Sequence, residues 1–95
     1  MFDKAKLALE AKRLQQTLAK QVIEVEAGDG AVKITVNGEQ KVQSVELDPE
    51  KIDTEDLRQL EKWLESAMNQ ASKRSQEVAA EITKPFMDKL GMGGL

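Results

Sequence analysis

"AVKITVNGEQKVQSVELDP", Ala31 to Pro49, is a β-hairpin signal inside a chain that otherwise reads as helix. Asn37-Gly38 is the dipeptide that best tolerates the positive φ angles of a tight hairpin turn. Before it, Val32, Ile34 and Val36 alternate with Lys33 and Thr35, the period of a half-buried strand. Val42, Val45 and Leu47 follow it. A strict two-residue turn would set Ile34 opposite Lys41. Adding Glu39 to the loop sets Ile34 opposite Val42, which suits an apolar face better, so a three-residue loop is expected. Val42 and Val45 differ in parity. A bulge near Gln43-Ser44 returns both to one face; the alternative is a sheet partly buried on both faces by a second subunit.

Upstream, Val22-Ile23-Glu24-Val25-Glu26 alternates again, and Gly28-Asp29-Gly30 breaks the run. The expected sheet is therefore a three-stranded antiparallel meander over residues 22–48. A lone hairpin is only marginally stable in water, so this sheet must lean on its flanking helices or on another copy.

The first flank, residues 1–21, is rich in Ala, Leu, Lys and Gln, all good helix formers. Leu7, Ala11, Leu14 and Leu18 are spaced as a narrow coiled-coil seam. Lys6, Arg13 and Lys20 recur every seven residues and share one face. That row reads either as a solvated heptad flank or as a phosphate-contacting edge. On the other side, Asp48-Pro49 ends the last strand and "IDTEDL" opens a helix. Asp53 is placed as N-cap, Asp56 at the capping-box position, and Ile52 with Leu57 as the hydrophobic staple. Leu57, Leu60, Leu64, Ala67, Ala71, Val78 and Ile82 follow heptad spacing, interrupted by Arg74. This helix is expected over residues 53–84, with Pro85 ending or kinking it and residues 85–95 forming a flexible tail. Thirty residues of helix span roughly 45 Å, longer than a small sheet is wide, so its far end must project.

Composition narrows the function classes. The 95 residues make one domain near the lower limit for a self-sufficient core, and the only aromatics are Phe2, Trp63 and Phe86. A helix-rich protein that completes its core by oligomerising fits best. Without cysteine or histidine there is no disulfide, no thiol chemistry, and neither the commonest metal ligand nor the commonest general base. No signal peptide or membrane span is legible, which makes the cytoplasm the default location. Charge is unevenly placed. Residues 1–20 hold five basic against two acidic residues, residues 21–65 five against twelve, and residues 66–95 four against three. The ends are basic and the middle is acidic.

No catalytic constellation stands out. Asp48, Glu50, Asp53, Glu55 and Asp56 are explained as a strand exit and a helix start, and "GMGG" lacks the strand–helix context of a phosphate loop. Trp63 reads as a core or interface residue rather than a base-stacking platform. Lys73 precedes Glu77 by four, so an intrahelical ion pair competes with a phosphate contact there.

The stretch "GAVKITVNGEQKVQSVELDPEKIDTEDLRQLEKWLESAMNQASKR", residues 30–74, resembles the YbaB/EbfC family of nucleoid-associated proteins. It carries a Val-Lys-Val-Thr-Val-Asn-Gly-like strand and turn, a Ser-Val-x-Ile-Asp-Pro-like exit, and an Ala-x-Asn-x-Ala segment at Ala67, Asn69 and Ala71. The first helix and tail match in character only. Members often have Gly where this chain has Gln40, and a Met/Gln-rich first helix where this one is Ala/Leu/Lys-rich. The resemblance implies an α+β fold and an intertwined homodimer with projecting helical arms. It also implies binding of double-stranded DNA in a bacterial nucleoid, with a role in nucleoid organisation or transcription.

Together these readings give a DNA-binding homodimer with no enzymatic activity, cofactor, metal, small-molecule substrate or membrane partner, cytoplasmic and nucleoid-associated. The residues expected to meet phosphates are Lys4, Lys6, Lys12, Arg13, Lys20, Lys73, Arg74 and Lys84. Those expected at the dimer interface are Leu7, Leu14, Leu18, Ile34, Val36, Val45 and Leu64. The rival class is a coiled-coil protein-binding module, a prefoldin-like chaperone or assembly adaptor, whose arms grip other chains.

Overall fold

A computed structural model describes residues 4–89. Helix α1 (Lys4–Lys20) leads into strands β1 (Ile23–Ala27), β2 (Val32–Val36) and β3 (Val42–Leu47), and helix α2 (Leu57–Lys89) follows. The sheet is an antiparallel meander in the order β1-β2-β3, the expected α+β arrangement. The expectations for residues 1–3 and 90–95 lie outside the described residues.

The two hairpin turns exchange the roles their sequences suggest. Asp29 and Gly30 have φ of 56° and 89°, and the Ala31 N–H donates to the Gly28 carbonyl at 3.1 Å. Positive φ at both central residues marks the tight turn whose twist matches its strands. Asn37-Gly38 instead opens a five-residue loop, 37–41, in which Gly38 does not take a positive φ and Gln40 does, at 63°. The Asn37 side chain folds that loop: its Oδ1 accepts the Glu39 N–H at 2.9 Å and the Lys41 N–H at 3.1 Å. The three-residue loop is thus corrected, and with it the register, because Ile34 faces Val45 and Val36 faces Val42. The bulge is present. Pairing passes from Val36–Val42 to Thr35–Ser44, leaving Gln43 without a partner across the strand.

The left-handed Gln40 carries backbone strain of about 1 kcal/mol that glycine would relieve, partly offset by the greater freedom of glycine in the unfolded chain. Gln40→Gly is therefore expected to stabilise the fold by roughly 0.5 kcal/mol, raising the thermal midpoint by about 2–4 °C. A lowered midpoint would contradict this loop conformation.

One face of the sheet builds the core. Ile23, Val25, Val32, Ile34 and Val36 are buried under Ala67 and Ala71, with Leu60, Trp63, Leu64 and Val78 packed around them. The small side chains at 67 and 71 let α2 approach the strands closely. Trp63 closes the end of the seam over Gly28, where an added Cβ would lie 2.4 Å from the indole ring. Trp63 is thus part of the core, as its position on the helix suggested.

Helix α2 starts and stops differently from expectation. Asp53 Oδ1 accepts the Glu55 N–H and shapes a preceding turn, whereas Asp56 Oδ1 accepts the Gln59 N–H three residues on. Asp56 is the N-cap, not Asp53. Leu57 then occupies the first helical position and is 56% exposed, so it is not held as a staple. At the other end α2 runs through Pro85 to Lys89, and residues 85–89 are helix rather than tail. A proline costs a helix one hydrogen bond and a steric adjustment. Packing of that turn against α1 offsets this: Ile82, Pro85 and Phe86 share a groove with Leu14 and Thr17.

The result is elongated, 64 × 24 × 15 Å, with a radius of gyration of 17.9 Å. A compact chain of this length would have about 12 Å. The middle of α2 lies on the sheet, its stretch from about residue 73 to Val78 crosses the sheet's edge at the root of an arm, and its C-terminal turns pair with α1 as that two-helix arm.

Candidate nucleic-acid interface

Helix α1 has no buried residue, and among the described elements it packs only against α2. The pairing is antiparallel, since Lys89 Nζ meets Glu10 Oε1 at 3.4 Å while Thr17 lies in one groove with Ile82. This brings the two ends of the sequence together. Arg13 and Lys89 line the one groove, with Lys12 next to Arg13 and Lys84 next to Pro85 along their helices; Lys4 and Lys6 lie further out along α1. Lys20 follows Ala19, and Lys73 and Arg74 precede Ser75, in the two segments that hydrogen-bond the 37–41 loop at the arm's root. All eight cations expected to meet phosphate are exposed.

Over residues 4–20 and 73–89 the arm carries nine basic against four acidic residues, while residues 21–72 carry five against twelve. The basic ends and acidic middle of the sequence thus become a cationic arm and an anionic body. Such a separation gives the arm a positive and the body a negative field. The Lys73–Glu77 ion pair allowed by spacing is not formed among the described residues, which leaves Lys73 directed to solvent. Lys89, beyond the expected end of α2, belongs to the same surface.

The arm's root is held by a junction that motif reading does not reveal. Helix α1 lacks a glycine cap. Gln21 reaches back to the helix, with its N–H on Leu18 O at 3.3 Å and its Nε2 on Thr17 O at 3.2 Å, and the hairpin loop adds the rest: Leu18 O accepts the Gly38 N–H at 2.8 Å, and Ala19 O accepts Asn37 Nδ2 at 3.4 Å. From the other side, Ser75 Oγ donates to Asn37 O at 2.7 Å. Ser75 and Asn37 are both buried. The seam position expected near Arg74 falls to Ser75, which continues the four-residue spacing of Ala67 and Ala71; that run of small residues is its only signal in the sequence. Glycine at 38 is required by close approach, because a Cβ there would lie 2.8 Å from the Leu18 carbonyl oxygen.

The residues expected at a dimer interface divide in two. Ile34 and Val36 are buried within the chain, while Leu7, Leu14, Leu18 and Leu64 are partly covered within it. Val45 is open. It stands opposite Ile34, as Val42 does opposite Val36 and Leu47 opposite Val32, so all three continue the core face. Helix α2 covers β1 and β2 but does not touch β3. Val42, Val45 and Leu47 therefore remain 56%, 51% and 47% exposed, alongside Met68 at 59%. Between β3 and α2 runs an apolar groove of about 180 Å³ lined by Ile34, Val36, Val42, Met68 and Ala71.

The acidic side chains after β3 are engaged in turns: Asp48 Oδ1 accepts the Glu50 N–H, and Asp53 and Asp56 act as described above. Among the described residues no cluster of potential ligands could hold a metal ion, and no helix is long and apolar enough to cross a membrane.

Fold and surface together define a small α+β protein with an acidic body, an unfinished apolar sheet face and a cationic two-helix arm. The chain belongs to the YbaB/EbfC DNA-binding family, whose model matches residues 1–90. It is 36% identical over 84 residues to a nucleoid-associated protein of Chloroflexus aurantiacus, covering 88% of this chain and 82% of that one. To a nucleoid-associated protein of Pelotomaculum thermopropionicum it is 33% identical over 90 residues, covering 95% and 86%. The crystal structure of an uncharacterised Helicobacter pylori protein shares the fold, with a TM-score of 0.77 at 18% identity over 92% of this chain and 99% of that one.

Proposed function

We propose that this chain acts as a homodimer, binding double-stranded DNA through phosphate contacts from its arms, without enzymatic activity. In this reading it works in the bacterial nucleoid, in DNA organisation or transcription, as the names of its relatives suggest. The observation that carries the reading is the segregation of charge: nine cations on one elongated arm and an acidic excess on the body. Phosphate contacts of this kind supply affinity and orientation without reading sequence. Gel shifts with duplex DNA over a salt series test it, with log affinity expected to fall linearly with log salt. Affinity that ignores salt, or no affinity at all, would favour the protein-binding class instead.

The second copy is argued from β3. Its apolar face and free strand edge are contiguous with the core, and burying them removes exposed Val42, Val45, Leu47 and Met68 from water. The chain should sediment at micromolar concentration with about twice its 10.5 kDa mass. Val45→Lys, which places a charge in that face, is expected to shift the population to monomer. A parent chain that sediments as a folded monomer would overturn the dimer.

A further inference from the structure

We infer that the 37–41 loop is a latch that positions α1 on the body, with Asn37 and Ser75 as its positioning residues for the cationic arm. The inference rests on the DNA-binding reading above, though its structural half can be tested without DNA.

Helix α1 carries Lys4, Lys6, Lys12, Arg13 and Lys20, yet it contributes nothing fully buried. An isolated helix of this length is marginal in water, so its alignment depends on a few external contacts. Along its length it has the shallow groove with α2. At its root it has two hydrogen bonds from the loop: the Gly38 N–H gives Leu18 O a bond of 2.8 Å, shorter than the 3.3 Å one from the Gln21 N–H, and Asn37 Nδ2 donates to Ala19 O. Ser75 fixes the same loop to α2, with a hydroxyl that is fully buried and fully engaged. One short loop therefore joins α1, the sheet and α2. Loosening it lets α1 splay from α2, and the cations of the two helices cease to form one surface, although no cation has been removed.

Two substitutions open the latch in different ways. Gly38→Ala inserts a Cβ 2.8 Å from Leu18 O and wedges the α1 terminus away. Asn37→Asp keeps an oxygen for the Glu39 and Lys41 N–H groups but replaces the donor to Ala19 O with a second acceptor. Ser75→Ala is a neutral companion that removes only the α2 side. Because the chain has no cysteine, Ala8→Cys and Glu65→Cys, both at exposed positions, accept a pair of spin labels cleanly. Diluting the labelled chain into unlabelled protein restricts the readout to distances within one chain.

The parent should give one narrow distance distribution, and each latch variant a broadened one. The thermal transition followed by Trp63 fluorescence, which reports the opposite end of the core, should remain cooperative. In gel shifts, the variants should bind duplex DNA more weakly. Their salt slope should be shallower by about 0.9 for each phosphate contact the splayed arm no longer reaches. A merely structural defect would lower the folded fraction and leave the slope of the remaining binding unchanged. An unchanged distance distribution overturns the latch. Broadened distances with unchanged affinity and slope overturn its role in positioning cations. If the parent itself shows no salt-dependent binding, the DNA reading fails, and the distance measurement still decides whether the loop holds α1. Should Gly38→Ala fail to fold, Asn37→Asp and Ser75→Ala carry the test.

Discussion

Replacing Lys6, Arg13 and Lys20 together by Gln should weaken binding to every DNA duplex alike and flatten its salt dependence. Gln preserves helix propensity and leaves Leu7, Leu14 and Leu18 untouched, so the arm should persist. If each of these side chains meets a phosphate, a dimer loses six contacts, and the slope of log affinity against log salt should shallow by about 5. Loss of positive charge anywhere would also weaken binding through long-range repulsion. The control is an equal charge change on the body: Lys33, Lys41 and Lys62 to Gln. Lys51 is unsuitable, because its Nζ donates to the Asp29 carbonyl at 2.7 Å and supports the first hairpin turn. Body replacements should leave the slope nearly unchanged. Equal weakening by both triple variants would remove the arm from the mechanism.

The largest effect on stability is expected at Gly28. Its φ of +65° is costly for any residue with a Cβ, by about 1–2 kcal/mol, and more for a β-branched one. The added carbon would also overlap Trp63, with ring atoms at 2.4, 2.6 and 2.7 Å. The indole must then leave the seam between α2 and the sheet, and vacating a large aromatic site costs about 3–5 kcal/mol. Gly28→Val should therefore lower the thermal midpoint by 15 °C or so, measured at one protein concentration because a dimer's midpoint depends on it. Trp63 emission should shift to the red. Pairing Gly28→Ala with Trp63→Leu should cost less than the two changes separately, since the smaller side chain removes the overlap. A midpoint within a few degrees of the parent would mean that Trp63 does not pack on Gly28.

Both predictions rest on features of different visibility. The cationic row on α1 follows from a seven-residue spacing and is plain in the chain. The Trp63–Gly28 contact joins residues 35 positions apart, and no local pattern announces it. The Asn37 junction is similar. Its Asn-Gly dipeptide signals a turn, but the reason for glycine lies in α1, whose Leu18 approaches from 20 residues upstream. Local chemistry alone suggests positive φ at Gly38, whereas packing assigns close approach there and the left-handed conformation to Gln40.

Alternation, turn residues and heptad spacing are short-range properties, and they determined the element order, the meander and the long second helix, while the bulge at Gln43 was one of two alternatives that the strand pairing decided. Charge segregation was equally legible, because adjacent residues of the chain remain together on the arm or on the body. The hairpin register, the choice of Asp56 over Asp53 as cap, the helix through Pro85 and the buried hydroxyl of Ser75 came from the assembled fold. Each is settled by contacts between distant segments: α1 supports Pro85, and the 37–41 loop captures Ser75 while capping α1. Local preferences differ by about 1 kcal/mol or less, and burial of a side chain or satisfaction of a buried polar group outweighs them. The open face of β3 obeys the same physics. Alternation marks Val45 and Leu47 as apolar, but only the path of α2 across β1 and β2 leaves them uncovered.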